Sequence, residues 1–593
     1  MKKNLLFIFL ICICLQTYSQ FGGGTGTEED PYQLYTKEHI DSMVNQDTNG
    51  KYYVLMNDIT DTITDKICST LAGSFNGKGH NLIVNSGLSL FTSIMESGRL
   101  DSLSVSGIMH NFPPFCNANQ GTINFCTNNL NDSSTISSGI CRVNKLNGKI
   151  INCTNNLNFS SGNYLEIAGI CSLSYGIIQN CINNGNITIQ VTSGNFAGIS
   201  VRGYGKILNC INNGSISQVG MGESVHIGGI TRISMSTLIQ NCINNGDISC
   251  KNAHCAGGIS GDITQVKIVN CVNNGNINGT AINAGGIAAW LDRDSIVNCF
   301  NSGQVLTTSL INEPTGSGIA NIQNDSSMVI NCLNVGKCSE DGVVGSDEDI
   351  LAVTNSTIQN NYYDKQMCLK KGFSRIENLE FICYDSINAC EGKLTTQLVG
   401  TSPELQALLG DDWSYAEGRY PIPLGLENHP AAQLAATPMY LPYTDQDNYN
   451  TVDSVTCHFM LGTKNNVEWE CSSPTVNLEE TEDGLKGVLQ STGFVNLVAS
   501  LGNYHKNIIL NIKSVCEPNY KNEEIQKTQA IAYPNPTKDM LYFNQASAYE
   551  IYDLQGKLIM KSKKPQNFVN TSKLKSGIYL IKIGEEIMKF VVE

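Results

Sequence analysis

Cysteine is the residue whose type and spacing most directly invite a chemical reading of this chain. NCINNGNI begins at Asn180, and near copies begin at Asn209 (NCINNGSI), Asn241 (NCINNGDI), Asn270 (NCVNNGNI) and Asn298 (NCFNSGQV). The series Cys126, Cys153, Cys181, Cys210, Cys242, Cys271, Cys299 and Cys332 has successive gaps of 27, 28, 29, 32, 29, 28 and 33 residues. Regular thiols can hold zinc, carry redox chemistry, pair as disulfides or fill a core. Each copy offers one sulfur and no CxxC occurs, whereas structural zinc takes four convergent ligands, so no metal and no cofactor are expected. Of 23 cysteines two fall in the first 19 residues, leaving an odd number that cannot all pair within one chain. A buried structural ladder is the leading reading; partial disulfide pairing is the next.

Other chemistry is sparse. Asp247, Asp262, Asp292 and Asp294 stand at +5, −9, −7 and −5 from their marker cysteines, and on that phase they are not expected to converge. Asp411-Asp412 lies beyond the repeats and reads as surface. HExxH, GxSxG and P-loop motifs are absent. No catalytic residues are therefore assigned. Lys149, Lys206 and Lys267 each precede a marker cysteine by four residues in alternate repeats, hence about 10 Å apart if the repeats stack. They are either a stripe for an acidic glycan or an ordinary solvated edge. A formal charge of −15 argues against a nucleic-acid partner, and residues 121–340 hold ten acidic and ten basic side chains, leaving that region neutral.

The elements that would position these residues follow from a second landmark. Gly139-Ile140, Gly169-Ile170, Gly198-Ile199, Gly229-Ile230, Gly258-Ile259, Gly286-Ile287 and Gly318-Ile319 keep the cysteine beat of about 29 residues. Aliphatics sit at −3 (Ile178, Ile207, Ile239) and +6 (Ile187, Ile216, Ile248), without a helical rhythm. One repeat reads as three short strands and three corners, a coil of a parallel β-solenoid. The asparagine before the cysteine takes the left-handed conformation there, and the glycine at +4 supplies a positive-φ turn. Asn183, Asn212, Asn244, Asn273 and Asn301 are placed to bond side chain to side chain up the stack.

Lys2, Lys3 and the apolar run Leu5–Leu15 read as a signal peptide over 1–19, and no later segment is apolar enough to span a bilayer. Residues 20–120, with GGGTGTEEDPYQL from Gly22 and GSFNGKGHNLIVNSGLSLF from Gly73, read as an N-terminal cap and first coils. Repeats fill 121–365; an end coil and a connector with a short helix at SPELQALLGDDW fill 366–432. Short alternating strands around Trp469 suggest an immunoglobulin-like sandwich over 433–514, followed by a linker at 515–531.

The glycine-rich coils resemble secreted bacterial β-helix proteins with GLUG-type repeats. Residues 532–593 carry AYPNPTKDMLYF, YEIYDLQGKLIM and LKSGIYLIKI in order. They closely resemble the type A C-terminal sorting domain of the type IX secretion system, with Pro534, Asn535, Pro536, Gly556, Lys557, Gly577 and Tyr579 in the matching blocks. The resemblance implies a small β-sandwich recognised by outer-membrane export machinery, and a passenger secreted or attached to the cell surface. Triplets such as Asp61-Thr62-Ile63 and Asp294-Ser295-Ile296 look like the O-glycan acceptor sequence of such bacteria. The fold class expected is all-β: a right-handed parallel β-helix, an immunoglobulin-like sandwich and a small sorting domain. The function expected is non-catalytic adhesion or binding of a glycan or host protein; the alternative is a β-helix polysaccharide lyase or glycoside hydrolase.

Overall fold

The structure, a computed structural model, describes two spans of the chain. The first is residues 20–440, with gaps at 133–135, 161–165, 221, 223, 311–314, 323–325, 340–343, 346–355, 368–372, 378–379 and 385–389. The second comprises 458–512 and 532–592, each with gaps of one to three residues. The signal segment, the linker, Pro534, Asn535, Pro536 and Gly556 lie outside the described residues.

Three parallel sheets of 13 strands each form a solenoid. Sheet A runs from Tyr32–Leu34 to Thr357–Gln359, sheet B from Ile59–Ile63 to Cys390–Lys393, and sheet C from Cys68–Leu71 to Glu380–Tyr384. Sheet C ends in an antiparallel hairpin, Phe373–Glu377 with Glu380–Tyr384. Register is kept by like on like. Ile150, Ile178, Ile207, Ile239, Ile268, Ile296 and Val329 are successive partners in sheet A, all buried. A slip of one residue would turn this whole column outward, so the pattern fixes the stack.

The expected three-sided coil is four-sided in the middle of the stack. Between Phe159 and Ser317 a fourth parallel sheet of ten strands, sheet D, lies between B and C. Its length per coil varies: Ile187–Ile189 and Ser193–Ala197 are separate, whereas Ile248–Gly257 is continuous. That variability is why a fixed repeat template conceals this wall.

The first coil is closed by residues 21–34. Gly22 N and Gln33 N bond Gln33 O and Gly23 O, and Phe21 packs on Tyr32 and Tyr53 with ring centroids 4.7 and 5.7 Å away. This covers a core end that would otherwise expose apolar side chains and strand edges.

One outer face is not left to solvent. Ile211, Ile243, Val272, Phe300, Leu333 and Tyr362 are partners in sheet B and point away from the main core. Residues 398–436 cover them with Leu398, Leu405, Leu409, Trp413, Tyr420 and Ile422. Each such aliphatic contributes about 1.5–3 kcal/mol by leaving water. The covering helix Pro403–Leu409 is capped by Ser402, whose Oγ accepts from Leu405 N at 3.1 Å, and ends at Gly410 with φ 74°.

Beyond the connector, antiparallel sheets of four and three strands enclose a core containing Phe459, Trp469, Val495 and Leu497. Residues 532–592 form one five-stranded antiparallel sheet around Leu541, Ile551, Val569, Ile581 and Phe590. Its long strands Met540–Asp553 and Leu558–Asn570 shift register at three places, and a Thr537–Val592 bridge ties its ends together. Register irregularities of this kind bend strands. Among the described residues no helix is long and apolar enough to cross a membrane.

Candidate functional site

Each residue of the NCINNGNI motif has a separate position in the stack. The asparagine before the cysteine is left-handed in successive coils: φ is 55° at Asn152, 53° at Asn180, 52° at Asn209 and 54° at Asn241. Its side chain bonds up the outside of the corner, Asn180 to Asn152 and Asn209 to Asn180 at 3.0 Å each. All eight marker cysteines are 0% exposed at the A–B corner. Cys181 Sγ donates to Gln179 O at 3.4 Å and to Ile150 O, one coil back, at 3.5 Å. Burial pushes the Cys153, Cys210, Cys242, Cys271 and Cys299 thiols well above their ordinary range, which suppresses the nucleophilic thiolate. A second buried column, Cys116, Cys141 and Cys171, lies in sheet C; only some coils carry it, so spacing gave no signal.

The glycine at +4 plays a different part from the one expected. Gly185, Gly214, Gly246 and Gly275 are not among the positive-φ residues. A Cβ on Gly214 would instead meet Gly185 O at 1.9 Å, and one on Gly275 would meet Gly246 O at 2.1 Å. Glycine is there because backbones of successive coils touch; asparagine makes the turn.

The next asparagines form the wall of a cleft. Asn184 donates to Asn156, Asn213 to Asn184 and Asn245 to Asn213, each at 2.8 Å, in a ladder on the outside of sheet B. At +5, Asn186 Oδ1 accepts from Ser215 N at 2.8 Å, and Asp247 Oδ1 accepts from Asn276 N at 2.8 Å. Facing this wall is the strand Tyr504–Ile512, held by Asn276 Nδ2 to Asn507 O and Gln304 Nε2 to Ile509 O, both 2.9 Å. Between them lies a cleft of about 520 Å³ lined by Ile182, Asn184, Asn213, Ser215, Asn245, Asp247, Asn503, Tyr504, His505 and Asn507. Burial raises the Asp247 carboxyl above its ordinary value, opposed by hydrogen bonds from Asn276 N and Asn507 Nδ2. The cleft thus offers carboxamide donors and acceptors in rows, the phenol ring of Tyr504, the imidazole of His505 and a single carboxylate.

The sequence could not place Tyr504 or His505 here, because the pairing joins residues more than 200 positions apart. The only hint was the outward aliphatic at +1, which requires a cover.

Lys149, Lys206 and Lys267 are exposed first residues of sheet A strands, separated in register by Ile177 and Leu238, and none of them lines the cleft on sheet B. Of the four repeat-region carboxylates, Asp247 stands apart in the cleft, while Asp262, Asp292 and Asp294 lie on or just beyond sheet C strands of two successive coils. Asp262 pairs in register with Trp290, and Asp292 lies two residues further on the same strand, opposite Thr264. In sheet C the nearer landmark is Gly-Ile, and counted from Gly258 and Gly286 both Asp262 and Trp290 are at +4. Asp294 is wholly buried, accepting from Val266 N at 2.7 Å, and burial raises its carboxyl to about 7. Of the acceptor-like triplets, Thr62 is exposed on a strand with a register irregularity, and Ser295 is half-buried. In the terminal domain Lys557 N donates to Asp553 Oδ1 at 2.8 Å, Gly577 opens a strand, and Tyr579 stacks on Phe590 at 5.7 Å.

Residues 531–593 match the family described as the secretion system C-terminal sorting domain. The chain is therefore an exported protein whose terminal domain directs it to secretion and the cell surface through the type IX machinery. No curated protein matches the chain. A solved structure similar to it is a candidate immunoglobulin A1 protease from Bacteroides ovatus, 15% identical, covering 68% of this chain and 95% of that one with a TM-score of 0.23.

Proposed function

We propose that this is a non-catalytic surface protein that binds glycans, its principal site being the cleft between sheet B and strand Tyr504–Ile512. The observation that carries the reading is the row of laddered carboxamides opposite Tyr504. Neutral sugars are recognised by dense, fixed hydrogen-bond donors and acceptors combined with an aromatic face, in a concave site. Asn184 and Asn213 are held rigid by their neighbours in the ladder, so little side-chain entropy is lost on binding. A host protein bearing such glycans would be met the same way.

The alternative is a β-helix polysaccharide lyase or glycoside hydrolase. Paired carboxylates flanking the scissile bond are the usual requirement for glycoside hydrolysis. Among the residues lining the cleft Asp247 is the only carboxylate, which favours binding.

Glycan-array binding by the purified chain, followed by reducing-end and unsaturated-product assays on the bound polysaccharides, tests the proposal. Saturable binding without product, weakened by Asn213→Ala and His505→Ala, is the expected result. Release of product, or binding indifferent to both substitutions, overturns it.

A further inference from the structure

A second constellation lies where sheet D turns into sheet C, on the outside of the solenoid. The corner is re-entrant: Ala168, Ala197 and Val201 form a fully buried apolar cluster apart from the main core. Successive coils keep it tight, since a Cβ on Gly228 would meet Thr231 O at 1.7 Å and one on Gly257 would meet Ser260 O at 1.7 Å.

Above this corner three rings from successive coils form a column. His226 and His254 have centroids 4.8 Å apart, and His254 stacks on Trp290 at 5.7 Å with planes 26° apart. Charged groups border the rings in compensating pairs: Glu166 with Arg202, Arg232 with Asp262 at 3.8 Å, and Asp292 with Arg293. Two polar atoms in the corner, His226 Nδ1 and Arg232 Nε, are buried without a hydrogen-bond partner. An orphaned pair of this kind costs about 1–3 kcal/mol per group while its hydrogen bonds are unmade.

We propose that this corner is a saccharide subsite that takes a neutral glycan, with one sugar against Trp290 at the end of the ring column. The ligand class follows from the groups present. Pyranose C–H faces stack on aromatic rings. A hydroxyl accepts from a guanidinium and donates to a neutral imidazole or a carboxylate, so one polyol serves Arg232, His226 and Asp262 together. A carboxylated or sulfated sugar would meet Glu166, Asp262 and Asp292, whose cationic partners are already engaged. The reading is independent of the cleft, from which it differs in sheet and in residues.

The full chain is titrated with cellohexaose, mannohexaose, xylohexaose and maltohexaose, and with trigalacturonate as the anionic probe, by calorimetry and tryptophan emission. Trp413 and Trp469 are only 3% and 9% exposed, so an emission change reports chiefly on Trp290. Saturable binding of a neutral hexaose is expected, weakened at least about tenfold by Trp290→Ala and by Arg232→Met. Trp290→Phe, which keeps a ring, stays within about threefold of the parent by calorimetry. The proposal is overturned if no neutral hexaose binds, if trigalacturonate is preferred, or if Trp290→Ala binds like the parent. Loss in the cleft variants with retention in Trp290→Ala would assign binding to the cleft alone, which also overturns this subsite and leaves the first proposal standing.

Discussion

Asn183 donates from Nδ2 to Oδ1 of Asn212 at 2.8 Å, and the same bond at the same length links Asn128 through Asn334, coil after coil. These amides are fully buried, and each spends its second proton on a nearby carbonyl, as Asn183 does with Gly185 O at 2.9 Å. Both amide protons of each linking asparagine are thereby committed, and each Oδ1 from Asn155 onward accepts from the preceding coil. Asn212→Leu keeps the volume but strands Asn183 Nδ2 and Asn244 Oδ1. The expected loss is about 2–6 kcal/mol, from two orphaned buried groups at about 1–3 kcal/mol each. Asn213→Ala, one residue later on the solvated ladder, should cost under about 1 kcal/mol. Urea midpoints of the two variants side by side check the contrast; equal losses would mean the buried ladder has no special weight.

Much of this was legible from residue spacing. Cysteine and Gly-Ile recurring on one beat defined the coil, and branched residues at −3 defined its inner wall. What spacing could not carry was anything set by a partner distant in sequence. The apolar residue at +1 looks like a wall residue until residues 398–436 are seen lying on Phe300 and Leu333. Tyr504 reaches the cleft by the same long-range packing. The Asp262–Trp290 pairing agrees with the cysteine phase, since each residue stands nine before its marker, Cys271 or Cys299, whereas sheet D, on the other side of sheet C, differs in length between coils. A local landmark predicts register only until the next variable segment.

The cysteine columns should be chemically silent in the native protein. Cys126, Cys153, Cys181, Cys210, Cys242, Cys271, Cys299 and Cys332 are all 0% exposed, and Cys471 is the partly exposed one among the described free thiols. Alkylation with iodoacetamide and peptide mapping should label Cys471 without denaturant and the eight column thiols only after unfolding. Native labelling at Cys181 would contradict the inward-facing column.

Lys506 gives the domain following the connector an unusual pH dependence. It is 6% exposed, its Nζ donates to Ala435 O at 3.2 Å, and burial lowers its ammonium from 10.5 to about 7. Between those values the unfolded chain binds a proton that the folded chain does not, so this group makes stability rise with pH from about 7 to about 10.5 and flatten below. The total swing is on the order of a few kcal/mol. Melting curves between pH 7 and pH 9.5 should show the rise, and Lys506→Met should abolish it while raising stability at pH 7. An unchanged slope in that variant would rule out Lys506 as its source.

Phe125 occupies the position that asparagine holds in the following coils. Its φ is 51°, matching 55° at Asn152 and 53° at Asn180, and it is 59% exposed. A left-handed backbone costs a residue with an ordinary Cβ roughly 1–2 kcal/mol, and asparagine less because its amide bonds locally. Little apolar burial offsets that cost at an exposed ring. The neighbouring ladder continues through Asn124, whose Nδ2 meets Asp101 Oδ1 at 2.7 Å, so the substitution disturbs no existing bond. Phe125→Asn should therefore stabilise the solenoid by about 1 kcal/mol, the part of the left-handed penalty that asparagine relieves. Phe125→Gly should do at least as well in the folded backbone but lose part of the gain to unfolded-chain entropy. Thermal melts of the three proteins decide it, and a Phe125→Asn variant less stable than the parent would show that the ring itself contributes packing at this corner.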